Sequence, residues 1–306
     1  MNQHDIPATP LLSSGAPAYP SRRQLLAAAL CSTVAPLALA QRPDDGEPSE
    51  FDVIKQRGSL IVAVYKDNEP YSYGPPANMQ GLDIDIARAL TREMGLGLSL
   101  LPFQAAEDMH GDLRNMVTRG HYLGHGPADL LMRVPVDMHL MMADRLAFIF
   151  GTYQKEVPVL LVDRRRVQRV ETPDDLKGLP LAGESGMGLT SAMLGYGGGV
   201  LKDQVRLFDT GLLAAQAVVD GTVAAAYVTR AQAEYVLARL AAAPAHLGIE
   251  EIKLGNLVDR GWPVGVAIKS RNRQLRLLVE EAFRRLHASG EMLAIFRQNK
   301  LTLTTA

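Results

Sequence analysis

The sequence predicts an α/β fold in two lobes, and three observations carry the prediction. Short apolar runs rich in β-branched residues alternate with amphipathic stretches of helical period, the order that builds parallel βαβ units. The alternation repeats beyond the apolar run at residues 157–162, then closes with one more strand and two helices, so the chain returns to its first lobe. The 306 residues, 47% of them hydrophobic, suffice for about two domains at roughly 100–200 residues each.

Each element has a local reason. Ser59-Leu60-Ile61-Val62-Ala63-Val64 follows Gly58 and reads as a buried strand. A loop at residues 71–76 precedes a helix over 81–94 that turns Ile86, Ala89 and Leu90 to one face; Asp83 and Asp85 stand near its positive end, and Gly95 closes it. Residues 98–103 form the next strand, a helix covers 112–119, and a glycine-rich loop leads to a strand at 129–132. In the second half, residues 157–162 are a strand, and Thr172-Pro173-Asp174-Asp175 caps a short helix closed by Gly178. A strand at 179–182, a glycine-rich turn, a helix to Leu194, a strand at 205–208, a helix at 212–219, a strand at 224–228 and an alanine-rich helix over 230–242 complete that lobe. Residues 265–268 are the returning strand, followed by helices over 272–288 and 291–299.

Composition removes several functions. With 32 Lys and Arg against 33 Asp and Glu, the chain has no cationic excess to hold a phosphate backbone, which excludes nucleic acid as a main partner. The single cysteine, Cys31, can form neither an intramolecular disulfide nor a thiolate metal cage. Residues 1–20 are polar, and Ser21-Arg22-Arg23-Gln24-Leu25-Leu26 then opens an apolar stretch ending Ala38-Leu39-Ala40. This is the order of a signal peptide cleaved after Ala40, its paired arginines fitting a twin-arginine signal; the competing reading is an ordinary secretory signal, and both lead out of the cytoplasm. The run from Leu25 to Ala40 contains Pro36 and falls short of the ~20 residues of a membrane span. An exported protein that does not span a membrane is therefore expected, with a signal at 1–40 and a flexible leader at 41–50.

The order of elements and its landmark segments resemble the family 3 periplasmic solute-binding proteins, the receptors that deliver small solutes to ABC importers. The segments are Ile54-Lys55-Gln56-Arg57-Gly58-Ser59-Leu60-Ile61-Val62-Ala63-Val64, Glu69-Pro70-Tyr71-Ser72-Tyr73, Gly81-Leu82-Asp83-Ile84-Asp85-Ile86-Ala87, Asp175-Leu176-Lys177-Gly178, Asp220-Gly221-Thr222-Val223-Ala224-Ala225, and residues 264–296. The resemblance implies a location in the periplasm and the type II periplasmic-binding-protein fold, each lobe a mixed sheet flanked by helices, with crossovers near 153–157 and 259–263 dividing the chain into a first lobe of 51–154 plus 264–306 and a second lobe of 155–263, the ligand between the lobes and an ABC permease as partner. A departure narrows the branch. Gly120-His121-Tyr122-Leu123-Gly124 and Val134-Pro135-Val136-Asp137 look like the branch found with quinoprotein (PQQ-dependent) alcohol dehydrogenases, including the J accessory proteins of methanol oxidation. That branch implies either a carried solute, PQQ included, or an accessory role in maturing a dehydrogenase, with no transported ligand.

The same resemblance places the candidate site. Amino-acid receptors of the family hold the α-carboxylate with an arginine and the ammonium with an aspartate; the matching positions fall near Met141 and Thr229, so both anchors are missing and an amino acid ligand is disfavoured, unless Arg145 substitutes. Basic residues stand one step past three strands: Lys66, Arg133 and Arg230. If they converge, the ligand is an anion held by guanidinium forks, and the tricarboxylate PQQ fits; the alternative for each is a charge solvated or paired at the surface. Tyr71 and Tyr73 match ring positions that line the family's cleft, and Gly186, Gly188 and Thr190 match a glycine-rich turn whose N–H groups face ligand. No metal or required cofactor is expected: the glycines and Pro127 around His121 and His125 oppose the helix that would align them as ligands. Glu184 has no catalytic partner at a readable spacing, so an enzyme of the related cyclohexadienyl dehydratase type is the weakest reading.

Overall fold

The computed structural model describes residues 49–242, 244–255 and 260–305. The segment read as an export signal with its cleavage site, residues 41–48 of the expected leader and the start of the crossover read at 259–263 lie outside the described residues. Ser49 and Glu50, which the sequence assigns to the leader, instead open a helix. Ser49 caps α1 (Glu50–Arg57) through a reciprocal box with Asp52, and Gly58 closes it in the left-handed conformation.

The strands divide into two five-stranded mixed sheets. The first runs β2-β1-β3-β10-β4, built from β1 (Ser59–Tyr65), β2 (Gly97–Phe103), β3 (Leu130–Pro135), β4 (Ala147–Glu156) and β10 (Trp262–Lys269). β1 lies parallel to β2 and β3, while β10 lies antiparallel to both β3 and β4. The second runs β7-β6-β8-β5-β9, from β5 (Pro158–Asp163), β6 (Leu181–Glu184), β7 (Val205–Phe208), β8 (Ala225–Thr229) and β9 (Leu247–Glu250). Its β6 is parallel to β7 and β8, and β5 is antiparallel to β8 and β9. Every residue of β5 is buried, as its unbroken Pro-Val-Leu-Leu-Val run requires of a strand covered on both faces.

Helices cover both faces of each sheet. On the first sheet, α1, α2 (Leu82–Glu93), α8 (Arg273–Ala288) and α9 (Glu291–Gln298) pack Ile54, Leu82, Ile86, Leu275, Phe283 and Phe296 into one core. The opposite face takes Leu113, Met116, Val117 and Leu140 from α3 (Met109–Leu113), the π-turn that continues it and α4 (Met138–Ala143). The second sheet is covered by α5 (Gly188–Gly195) on one side and by α6 (Gly211–Val219) with α7 (Arg230–Ala238) on the other. α7 ends at Ala238 rather than continuing to 242. α1, β4, α4 and β9 are additions to the elements the sequence predicts.

Two irregularities aim side chains toward the seam between the lobes. Between β3 and β10 the register shifts between Gly265 and Ala267, and Arg133 sits in that bulge with φ of 60°. A second shift, between Val264 and Val266, falls opposite Gly151, where β4 has φ of 64°. Bulges of this kind re-aim side chains that a regular pleat would send to the other face.

Candidate functional site

The bulge in β3 delivers the Arg133 guanidinium to a buried cluster at the base of the cleft. Its Nε and Nη2 donate to the two carboxylate oxygens of Asp83 at 2.7 and 2.9 Å, Nη1 donates to Glu156 Oε1 at 2.7 Å, and Nη2 also donates to Gln154 Oε1 at 3.1 Å. The Tyr71 ring lies 3.3 Å from the guanidinium carbon. Asp83 accepts a further hydrogen bond from the Tyr153 hydroxyl at 2.9 Å. The first turn of α2 supplies Asp83, the loop after β1 supplies Tyr71, and the end of β4, where the chain crosses to the second sheet, supplies Tyr153, Gln154 and Glu156.

The cluster reaches the second lobe. The Tyr71 hydroxyl and Thr229 Oγ1 share a hydrogen bond of 3.3 Å, and Thr229, at the end of β8, also caps α7. Electrostatics follow from one guanidinium facing two carboxylates away from water. Burial opposes the charge of Arg133, yet Asp83, Tyr153, Tyr71 and Glu156 hold it protonated well beyond the ordinary range. Asp83 takes the two-pronged contact and Glu156 a single one, and burial pushes the Glu156 carboxyl up despite Arg133. Burial also raises the Tyr71 and Tyr153 hydroxyls. A non-glycine residue in the left-handed region costs about 1–2 kcal/mol, whereas breaking a buried pair costs about 3–5 kcal/mol. The contacts of the Arg133 side chain therefore outweigh the strain of its backbone.

These positions correct the expectation of an anion held by three cations. Arg133 is 10% exposed at its side chain, and four of its five N–H donors go to Asp83, Glu156 and Gln154. Arg230 is paired with Glu251 at 2.7 Å and Glu234 at 3.9 Å, and Lys66 is exposed. Arg133 covers one face of the Tyr71 ring, and the residue is 5% exposed. Thr190 is buried against the backbone of Gly183, where its Oγ1 stands 2.5 Å from the position a Cβ would take, and so packs α5 onto β6. Gly186 and Gly188 are exposed at the start of α5. Met141 is half-buried against the first lobe's core, and Arg145 is exposed in the turn after α4.

Tyr73 does lie at the seam, its ring edge-on to Tyr235 of α7 at 6.1 Å. It lines a cavity of about 580 Å³ between the loop after β1, which contributes Asp67, Glu69 and Gly74, and the α6 and α7 region, which contributes Thr210, Leu213 and Arg239. Arg239 Nη1 stands 3.6 Å from Glu69 Oε2. Neither this wall nor Tyr153, Gln154 and Glu156 is marked out as a site by the sequence. The one signal available for the latter is the polar Gln154-Lys155-Glu156 run between apolar stretches, which reads as a linker until β10 pairs with it.

Glu184 accepts from the Gly211 N–H at 2.9 Å and from Gln232 Nε2 at 3.3 Å, which ties the starts of α6 and α7 to β6. Burial raises its carboxyl. His121 and His125 meet edge to face at 4.3 Å in the 120–127 loop, and the loop is closed by His121 N–H to His125 O at 2.8 Å. Among the described residues no group of three His, Cys, Asp or Glu is placed to hold a metal, and no helix is long and apolar enough to cross a membrane.

No protein-family model matches the chain, and no curated protein matches it either. Solved structures do. An ancestral cationic amino acid solute-binding protein aligns with a TM-score of 0.65 at 21% identity, covering 82% of this chain and 99% of the other. An amino acid ABC transporter substrate-binding protein from Streptococcus pneumoniae, bound to L-arginine, aligns at 0.59 and 20% identity over 83% of this chain and 98% of its own. The GluR0 ligand-binding core in complex with L-glutamate aligns at 0.57 and 16% identity, covering 78% and 97%. The chain thus has the two-lobed type II periplasmic-binding-protein fold.

Proposed function

We propose that the protein is an exported solute receptor serving an ABC importer, and that its solute occupies the cavity between the lobes. The observation that carries this reading is the cavity itself: its walls come from both lobes, so an occupant would tie them together, as ligands do in hinged two-lobed receptors. Export rests on the Ser21-to-Ala40 pattern. The walls favour a cationic or zwitterionic organic solute over an anion, because Asp67 and Glu69 face one arginine already near Glu69, with Tyr73, Leu212 and Leu213 giving an apolar surface. Amino acids, which two of the similar structures contain, fall within that class. PQQ fits less well, since a tricarboxylate needs cations whose donors are not already engaged. The role is binding rather than catalysis: Glu184, the candidate acid, is engaged by Gly211 and Gln232.

A second reading, an accessory protein that docks a quinoprotein dehydrogenase, is favoured by Tyr122 and Leu123, which are 88% and 71% exposed on the 120–127 loop. Native mass spectrometry of the protein purified from the periplasm separates the two. A small added mass that is lost in Asp67→Asn and Tyr73→Ala supports the receptor. Recovery of a large protein partner, dependent on Tyr122 and Leu123, with no small mass, overturns it in favour of the accessory role.

A further inference from the structure

The Arg133 guanidinium has the surroundings of a bound ligand rather than of a surface side chain. A two-pronged carboxylate, a second carboxylate, an amide oxygen and an aromatic face together satisfy a guanidinium's planar fork and its π surface. All four partners belong to the first lobe or to the crossover, and the stacked ring of Tyr71 carries the hydrogen bond to Thr229 of the second. The backbone gives a second, independent sign. Arg133 occupies a left-handed bulge position, where glycine or asparagine would be relaxed, so the residue is held there for its side chain.

We infer that the floor of the cleft is a guanidinium site filled by the chain's own Arg133. The side chain acts as a built-in occupant that keeps guanidinium-bearing solutes off the floor, leaves the outer cavity as the space for solute, and holds Tyr71 against Thr229. Removing the side chain while keeping Asp83, Glu156 and Tyr71 vacates a site of guanidinium shape and charge.

The inference does not depend on which solute the outer cavity takes, and chemical rescue tests it. Arg133→Ala and Arg133→Gly are compared with the wild type by thermal unfolding in millimolar guanidinium chloride or L-arginine, against sodium chloride of equal ionic strength. The glycine variant also relieves the backbone, and so guards against a fold lost to strain. Both variants are expected to melt lower than the wild type and to regain several degrees, saturably, with guanidinium, while the wild type gains nothing. The regain should vanish when Asp83→Asn is added to Arg133→Gly. The inference is overturned if folded variants show no regain, if sodium chloride produces the same regain, if the wild type gains equally, or if neither variant folds even with guanidinium present.

Discussion

At the scale of single residues, the decisive fact is that the positive charge of Arg133 is already engaged by the chain's own carboxylates. Arg133, Asp83 and Glu156 form a cluster with one positive and two negative groups, and Glu156 holds the weaker share of the guanidinium. Because burial raises its carboxyl, the folded state binds that proton more tightly than the unfolded chain does. Stability contributed by this group is then gained as pH falls through the raised value toward the ordinary carboxylate range, and is lost as pH climbs back through it. Glu156→Gln keeps an oxygen for Arg133 Nη1 and removes the surplus charge. It is expected to be at least as stable as the wild type at neutral pH and to flatten this part of the pH profile, measured by urea unfolding across pH. A loss above about 3 kcal/mol, the size expected when a buried pair is broken, would mean that the cluster needs the charged carboxylate.

At the scale of elements, the regular parts were legible and the irregular parts were not. β1, β5 and α8 announce themselves by apolar runs or by a long amphipathic period, because their burial depends on local pattern. β4 hides its character, since Gly151 and the polar Gln154-Lys155-Glu156 run suit a loop unless β10 pairs alongside them. The bulge at Arg133 is equally silent, because register belongs to two strands and not to one. The turn before α2 shows how closely backbone controls the site. Gly81 has φ of 115°, and a Cβ there would stand 2.5 Å from the Tyr71 carbonyl oxygen. Gly81→Ala must push away the loop that carries Tyr71. A cost of about 3 kcal/mol is expected, roughly 6–12 °C in Tm for a chain of this size. Calorimetry would read it, and a change below 2 °C, small against that range, would show that the loop yields without strain.

At the scale of the whole molecule, two lobes are joined where their crossovers touch. Gly261, with φ of 66°, lies so near the end of β4 that a Cβ would stand 2.1 Å from the Glu156 carbonyl oxygen. Gly261→Ala should part the two crossovers, loosen the Tyr71 to Thr229 contact and enlarge the radius of gyration in small-angle scattering. An unchanged radius and melting temperature would show that the crossovers are not what sets the spacing of the lobes. The sequence by itself determined the α/β class, the two-lobed order and Tyr73 as a residue at the seam, since these follow from short-range periodicity and from landmark segments. It also singled out Arg133 as one of three cations for an anion and Thr229 as the position of a missing ammonium anchor, roles other than the contacts they make. Only the tertiary structure decided that Arg133 is neutralised from within and that the open space lies to one side, walled by Asp67, Glu69 and Tyr73 against α6 and α7. The reason is physical: whether a charge is free for ligand depends on which distant carboxylates the folded chain brings within about 3 Å of it, and no one-dimensional spacing records that.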